Sequence, residues 1–104
     1  MSFVPKYVEG HNLLADKSVL ITAAAGAGIG FATAKRAVEE GARAIMISDI
    51  HSARLEGAIE ALNRLETGAN VLGEQCDVTS EKSVQDLVQV ADSKLSGVDI
   101  LVNN

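Results

Sequence analysis

The sequence predicts an α/β fold, a parallel sheet wound with helices on both faces, and three observations carry the prediction. Four short apolar runs alternate with three longer amphipathic stretches. No Asn-Gly or Asp-Gly hairpin signal joins consecutive runs, and each connection is long enough for a right-handed crossover. The resulting β-α-β-α-β-α-β order gives a sheet arranged 3-2-1-4, doubly wound and incomplete. In such a sheet a ligand is expected beyond the carboxyl ends of the strands, where the order reverses between strands 1 and 4.

Taken in order, residues 1–17 carry the single proline, Pro5, with breaks at Gly10 and Asn12 and no sustained period, and read as an arm. Tyr7 and His11 on that arm read as surface or packing residues. Val19 to Thr22 is the first buried strand, running into glycines at 26, 28 and 30. Phe31 to Glu40 follows as a helix whose small residues Ala34, Ala37 and Val38 share a face, and Gly41 closes it. Arg43 to Ser48 is the second strand and ends at Asp49. Ser52 to Glu66 is an amphipathic helix with Leu55, Ile59, Leu62 and Leu65 on one stripe, closed by Gly68. Asn70 to Cys76 is a third strand, less apolar and so nearer an edge. Thr79 is the expected N-cap of a third helix whose Val84, Leu87, Val88, Ala91 and Leu95 share a face, with Gly97 as its stop. Val98 to Val102 is the fourth strand, followed by Asn103 and Asn104.

Bulk properties narrow the function. A chain of 104 residues with 47% hydrophobic and 22% charged content is at most one globular domain. A net charge of −5 and a pI near 4.9 argue against nucleic acid or an anionic membrane as partner. The lone Cys76 forms no internal disulfide and reads as a buried core residue. The opening MSFVPKYVEGHNLL lacks a charged segment before a long apolar core, and a cytoplasmic protein is expected.

Strand, glycine loop and helix together present bare amides to an anion. Glycine removes the Cβ that blocks approach, and the helix start adds partial positive charge. A pyrophosphate is the expected guest. Asp49 lies 19 residues past Gly30, near the spacing at which a dinucleotide-binding fingerprint places an acid on the ribose hydroxyls. A carboxylate there repels a 2′-phosphate, which favours NAD over NADP. Within the loop, alanine tolerates positive φ poorly, so Gly26 is expected to take the strained position.

The chain resembles the N-terminal part of a classical short-chain dehydrogenase/reductase, a Rossmann-type fold. The matching pieces are GIG at 28–30, Asp49 after the second strand, Asp77-Val78 after the third, and VDILVNN at 98–104. The resemblance covers residues 18–104 and implies the N-terminal half of an NAD(P)-binding domain. It implies that Asp77 holds the adenine amino group, that Val78 offers its backbone to the ring, and that Asn103 or Asn104 supports the sheet and the adenosine ribose. The cofactor-binding set is then Thr22, Ala24, Gly26, Gly28, Ile29, Gly30, Asp49, Asp77, Val78, Asn103 and Asn104, with no metal site. Two departures accompany it. The loop TAAAGAG is alanine-rich and one residue longer than the family pattern. The family's catalytic Ser, Tyr-x-x-x-Lys and Asn lie after the point where this sequence ends, so no catalytic residue is assigned.

The implied parent moves a hydride between nicotinamide and a secondary alcohol or ketone, with a lipid-like or steroid-like substrate, and forms homo-oligomers. For the 104 residues alone, an uncovered fourth strand predicts self-association and binding of a hydrophobic dye. The same half-fold also suits a non-catalytic dinucleotide-binding or interaction module. An S-adenosylmethionine methyltransferase also places glycines after strand 1, but Ala23 to Ala25 stand where it carries an acid.

Overall fold

The computed structural model describes residues 3–104. Its elements are β1 (Ser18–Ile21), α1 (Ile29–Glu39), β2 (Ala44–Asp49), α2 (Ser52–Asn63), β3 (Asn70–Gln75), α3 (Glu81–Leu95) and β4 (Ile100–Val102). The strands form one sheet in the predicted order β3-β2-β1-β4, and every pair is parallel. Ile21 lies level with Ile47 on one side and Val102 on the other. The carboxyl ends of the three strands therefore open onto one rim.

The period of two along β1 and β2 sorts their side chains onto two cores. Val19, Ile21, Ile45 and Ile47 face α1 and α2, against Ala34, Ala37, Val38, Leu55, Ala58 and Leu62. Leu20, Ala44 and Met46 face α3, against Leu87, Ala91 and Leu95. Burying each large aliphatic side chain in these clusters contributes about 1.5–3 kcal/mol. The central strands are covered on both faces and are apolar but for Ser18 at the start of β1 and Ser48 and Asp49 at the end of β2. β3 sits at an edge, and its mixed sequence NVLGEQ is only partly buried.

The boundaries depart from the sequence reading in ways the packing explains. α2 ends at Asn63, and Leu65 reaches the same core from the turn beyond it. Val88, assigned to the buried face of α3, is 52% exposed, because a single layer of sheet leaves part of that stripe uncovered. α3 is capped by Ser80, not Thr79: the Ser80 side chain accepts from the Ser83 amide, while Thr79 turns back to Asp77. Its other end closes on Ser96 and Gly97, both in the left-handed region at φ 56° and 97°.

The arm is fastened to the C-terminal half of α1. Glu40, 4% exposed, accepts from the amides of His11 at 2.7 Å and Leu13 at 3.2 Å and from the Arg36 guanidinium at 2.6 Å. Those amides, His11 first, hold the Glu40 carboxyl below its usual range. Tyr7 bonds the Glu39 carboxylate, and its ring lies under Lys35, whose Nζ is 4.6 Å from the ring centroid. Tyr7 and His11 are thus packing residues at the end of α1 remote from its glycine loop.

Candidate functional site

The glycine loop leaves β1 through a backbone pinned at both sides. The Thr22 amide donates to the Val102 carbonyl at 3.2 Å, and the Ala24 amide donates to the Ser48 carbonyl at 2.9 Å. Between these two anchors the chain must reverse within one residue, and Ala23 does so at φ 51°. The strained position therefore falls on Ala23, and Gly26 does not have positive φ. The Asn104 side-chain amide compensates by donating to the Ala23 carbonyl at 3.0 Å, and the Asn104 backbone amide donates to Thr22 Oγ1 at 3.1 Å. Thr22, Ala23 and Asn104 thus knot the end of β4 to the start of the loop.

Beyond the knot the loop is open. Among the described residues the amides of Gly26, Ala27 and Gly28 make no hydrogen bond, and Gly28 caps α1 without any side-chain partner. The first amides of α1, from Ile29 to Phe31, have no carbonyl a turn earlier to bond; the ladder begins with Ala32 donating to Gly28 at 3.2 Å. A Cβ on Gly26 or Gly28 would meet nothing within 4 Å. On Gly30 it would lie 2.6 Å from Asn104 Nδ2 and 2.9 Å from the Ala23 carbonyl oxygen. Gly30 is therefore required for close packing, whereas at Gly26 and Gly28, whose amides are unbonded, a side chain would meet only open space. That arrangement fits an anionic phosphate group.

Asp49, the last residue of β2, is held at the side of this loop. Its Oδ2 accepts from the Ala25 amide at 3.3 Å, and its Oδ1 accepts from the His51 amide at 3.0 Å. On the other side of the β2 tip, Ile50, Gln75, Cys76, Asp77 and Ser83 line an open cleft of about 260 Å³. Asp77 Oδ1 accepts from the Thr79 hydroxyl at 2.6 Å and the Thr79 amide at 2.9 Å. Those two donors, the hydroxyl foremost, hold the Asp77 carboxyl below its usual range. Ile50, which lines the cleft, is 50% exposed, and Val78, the residue after Asp77, is 57% exposed. Cys76 is 3% exposed and packs with the α3-side core.

The sequence-assigned residues therefore gather on the sheet rim, from Asp77 and Val78 at the β3 edge through Asp49 to the loop and Asn104. Sequence reading missed the partners that orient them. Gln75 Nε2 donates to the Ile50 carbonyl at 2.8 Å and fixes one wall of the cleft. Ser83 bonds the Asp77 amide from the first turn of α3 at 3.0 Å. Arg54 of α2 borders a groove of about 800 Å³ with Ala25, Gly26, Ala27 and Phe31. The serine, six positions past Asp77 and three past its cap, was the one signal in the sequence that pointed to such a contact.

The short chain dehydrogenase family profile matches residues 17–104. The chain belongs to that family. It is 45% identical over its whole length to a hexahydroindene-carboxyl-CoA reductase of Mycobacterium tuberculosis, of which it covers 39%. To the 7alpha-hydroxysteroid dehydrogenase of Escherichia coli it is 38% identical over 89% of its length, covering 35% of that protein. A crystal structure of a short chain dehydrogenase from Mycobacterium smegmatis superposes with a TM-score of 0.92 at 45% identity, over 98% of this chain and 41% of that one. The chain thus spans about two fifths of the length of these short chain dehydrogenases. Solved relatives in the family include one with NADPH and one bound to NAD⁺. A nicotinamide dinucleotide is the family's cofactor, and the open donors of this loop are of the kind its pyrophosphate requires.

Proposed function

We infer that this chain forms the adenosine and pyrophosphate side of the cofactor site in an NAD-dependent short chain dehydrogenase. The observation that carries the reading is Asp49, whose two carboxylate oxygens are aimed by the Ala25 and His51 amides at the edge of the glycine loop. A carboxylate there accepts the ribose hydroxyl protons and repels a 2′-phosphate. The free amides of Gly26, Ala27 and Gly28, with the uncapped start of α1, receive the pyrophosphate. Asp77 accepts from the adenine amino group, Ile50 of the same cleft flanks the ring, and Val78 offers its backbone to it. Gly30 and Asn104 touch no cofactor atom in this reading; they hold the loop in shape.

Bound there, the dinucleotide supplies the hydride donor or acceptor for a secondary alcohol and its ketone. The fused-ring and steroid compounds in the names of the relatives support a bulky alicyclic substrate for the whole protein. Titration of the full chain with NADH and NADPH tests the cofactor reading. Asp49→Ala is expected to weaken NADH about tenfold or more and to narrow its advantage over NADPH. Equal affinities for the two cofactors in the unmutated protein would remove Asp49 from this role.

A further inference from the structure

Asp77 is suspended at every polar atom but one. Its carbonyl accepts from the Ser80 amide at 3.0 Å, and its Oδ1 is taken by Thr79. Its own amide donates to Ser83 Oγ at 3.0 Å. The Ser83 hydroxyl in turn donates to Cys76 Sγ at 3.6 Å, and the Ser83 amide donates to the Ser80 cap at 3.2 Å. Ser83 therefore spans the β3–α3 junction, with its backbone locked into the helix start and its side chain bonded to the last two residues before the turn. Among the described residues Oδ2 of Asp77 has no partner. That oxygen belongs to a residue of the cleft which Ser83 also lines.

We propose that Ser83 is a positioning residue for recognition of the purine amino group, fixing the Asp77 backbone so that Oδ2 stands ready to accept from it. The proposal rests on the reading of Asp77 as the adenine acceptor. The Ser83 hydroxyl accepts from the Asp77 amide and donates to the Cys76 sulfur, neither of which a methyl group can do. Without it the Asp77 amide loses its partner, the junction is held by Thr79 and Ser80 alone, and Oδ2 is no longer fixed along the line of the purine's N–H donor. Serine at this helix position also has a bland use, as one more polar residue in a first turn. The two uses differ in a measurable way: a first-turn residue affects every ligand of the cleft equally, whereas a positioning residue affects only ligands that donate to Asp77.

The test compares NADH with reduced nicotinamide hypoxanthine dinucleotide, which carries a carbonyl where adenine carries the amino donor. Dissociation constants are measured on the full chain. The unmutated protein is expected to prefer NADH about tenfold. Ser83→Ala reduces that preference to about twofold, by weakening NADH with little change for the hypoxanthine analogue. Ser83→Thr, which keeps the hydroxyl, restores it. Ser83→Cys, similar in size but a poor acceptor, is expected to behave as the alanine variant does and serves if that variant folds badly. Equal weakening of both dinucleotides, or an unchanged preference, overturns the proposal while leaving Asp77 in its role. An unmutated protein that binds both dinucleotides equally overturns the reading of Asp77, and the role of Ser83 falls with it.

Discussion

Gly28 and Gly30 are two residues apart at the start of α1, yet an added side chain would meet opposite surroundings at the two positions, and replacing each with alanine separates packing from cofactor approach. At Gly28 the backbone is extended at φ −99°, and an added Cβ has nothing within 4 Å. Alanine there restricts the unfolded chain, which favours folding by about 0.4–1 kcal/mol. It is also a poorer N-cap than glycine, at a cost of about 0.5 kcal/mol. The two nearly cancel, so the stability of Gly28→Ala should stay within about 0.5 kcal/mol of the parent. On the proposed function, however, the new methyl group stands on the residue whose amide receives the pyrophosphate, and NADH affinity should fall tenfold or more, roughly 1.4 kcal/mol or above. At Gly30 the methyl would sit 2.6 Å from Asn104 Nδ2, 2.9 Å from the Ala23 carbonyl oxygen and 3.0 Å from Ala24 Cα. The asparagine can swing away, at the loss of its bond to Ala23; the two backbone atoms cannot move without displacing the loop. Overpacking of this kind costs about 1–3 kcal/mol, more than the gain of up to about 1 kcal/mol from placing alanine in a helix. Gly30→Ala should therefore lose both stability and affinity. Denaturant unfolding with and without NADH reads both quantities. If Gly28→Ala proves the more destabilised of the two, the division of labour between packing and approach is wrong.

Two further outcomes follow from carboxylates whose hydrogen bonds hold them ionised. Because the folded-state pKa of Asp77 is lowered, its stabilising contribution is complete above the ordinary carboxylate value and is lost as pH falls through the depressed one. Thr79→Val removes the larger cause, so carboxyl ¹³C shifts should show Asp77 titrating at higher pH; an unmoved midpoint would detach Thr79 from it. Glu40→Gln puts an NH₂ group against either the His11 and Leu13 amides or the Arg36 guanidinium, donor against donor. The arm should loosen, with cleavage beside Lys6 and Tyr7 accelerated roughly tenfold in limited proteolysis, while NADH affinity is unchanged because the arm grips the opposite end of α1 from the loop. Unaltered cleavage would mean that Glu40 does not hold the arm.

What could be read from the sequence was whatever depends on pattern over several residues. The unbroken apolar run Val19-Leu20-Ile21, with the small-residue face of α1, is enough to place a doubly covered strand beside a close-packed helix, and both cores formed as expected. The strand-tip carboxylates Asp49 and Asp77 were legible because their positions depend only on where strands end. What escaped was set by single tertiary hydrogen bonds. Thr79 and Ser80 are both good caps by composition. Which one caps α3 is decided by Asp77, which takes the Thr79 hydroxyl for itself and leaves Ser80 to the helix.

Ala23 is the sharper case. A rule for isolated residues assigns the left-handed turn to glycine, because for alanine it costs about 1–2 kcal/mol. The rule fails here because the turn's place is dictated from outside the loop: Val102 holds the amide before it and Ser48 the amide after it. One residue lies between those anchors, and it is alanine. The Asn104 side chain bonds its carbonyl, and Gly30 passes close against the same oxygen, so the strain at Ala23 is supported by residues 7 and 81 positions away. Gly26 is thereby released from any turn-making duty. With no side chain there, the loop stays open beside the unbonded amides of Gly26, Ala27 and Gly28, the stretch to which the proposed function assigns the pyrophosphate.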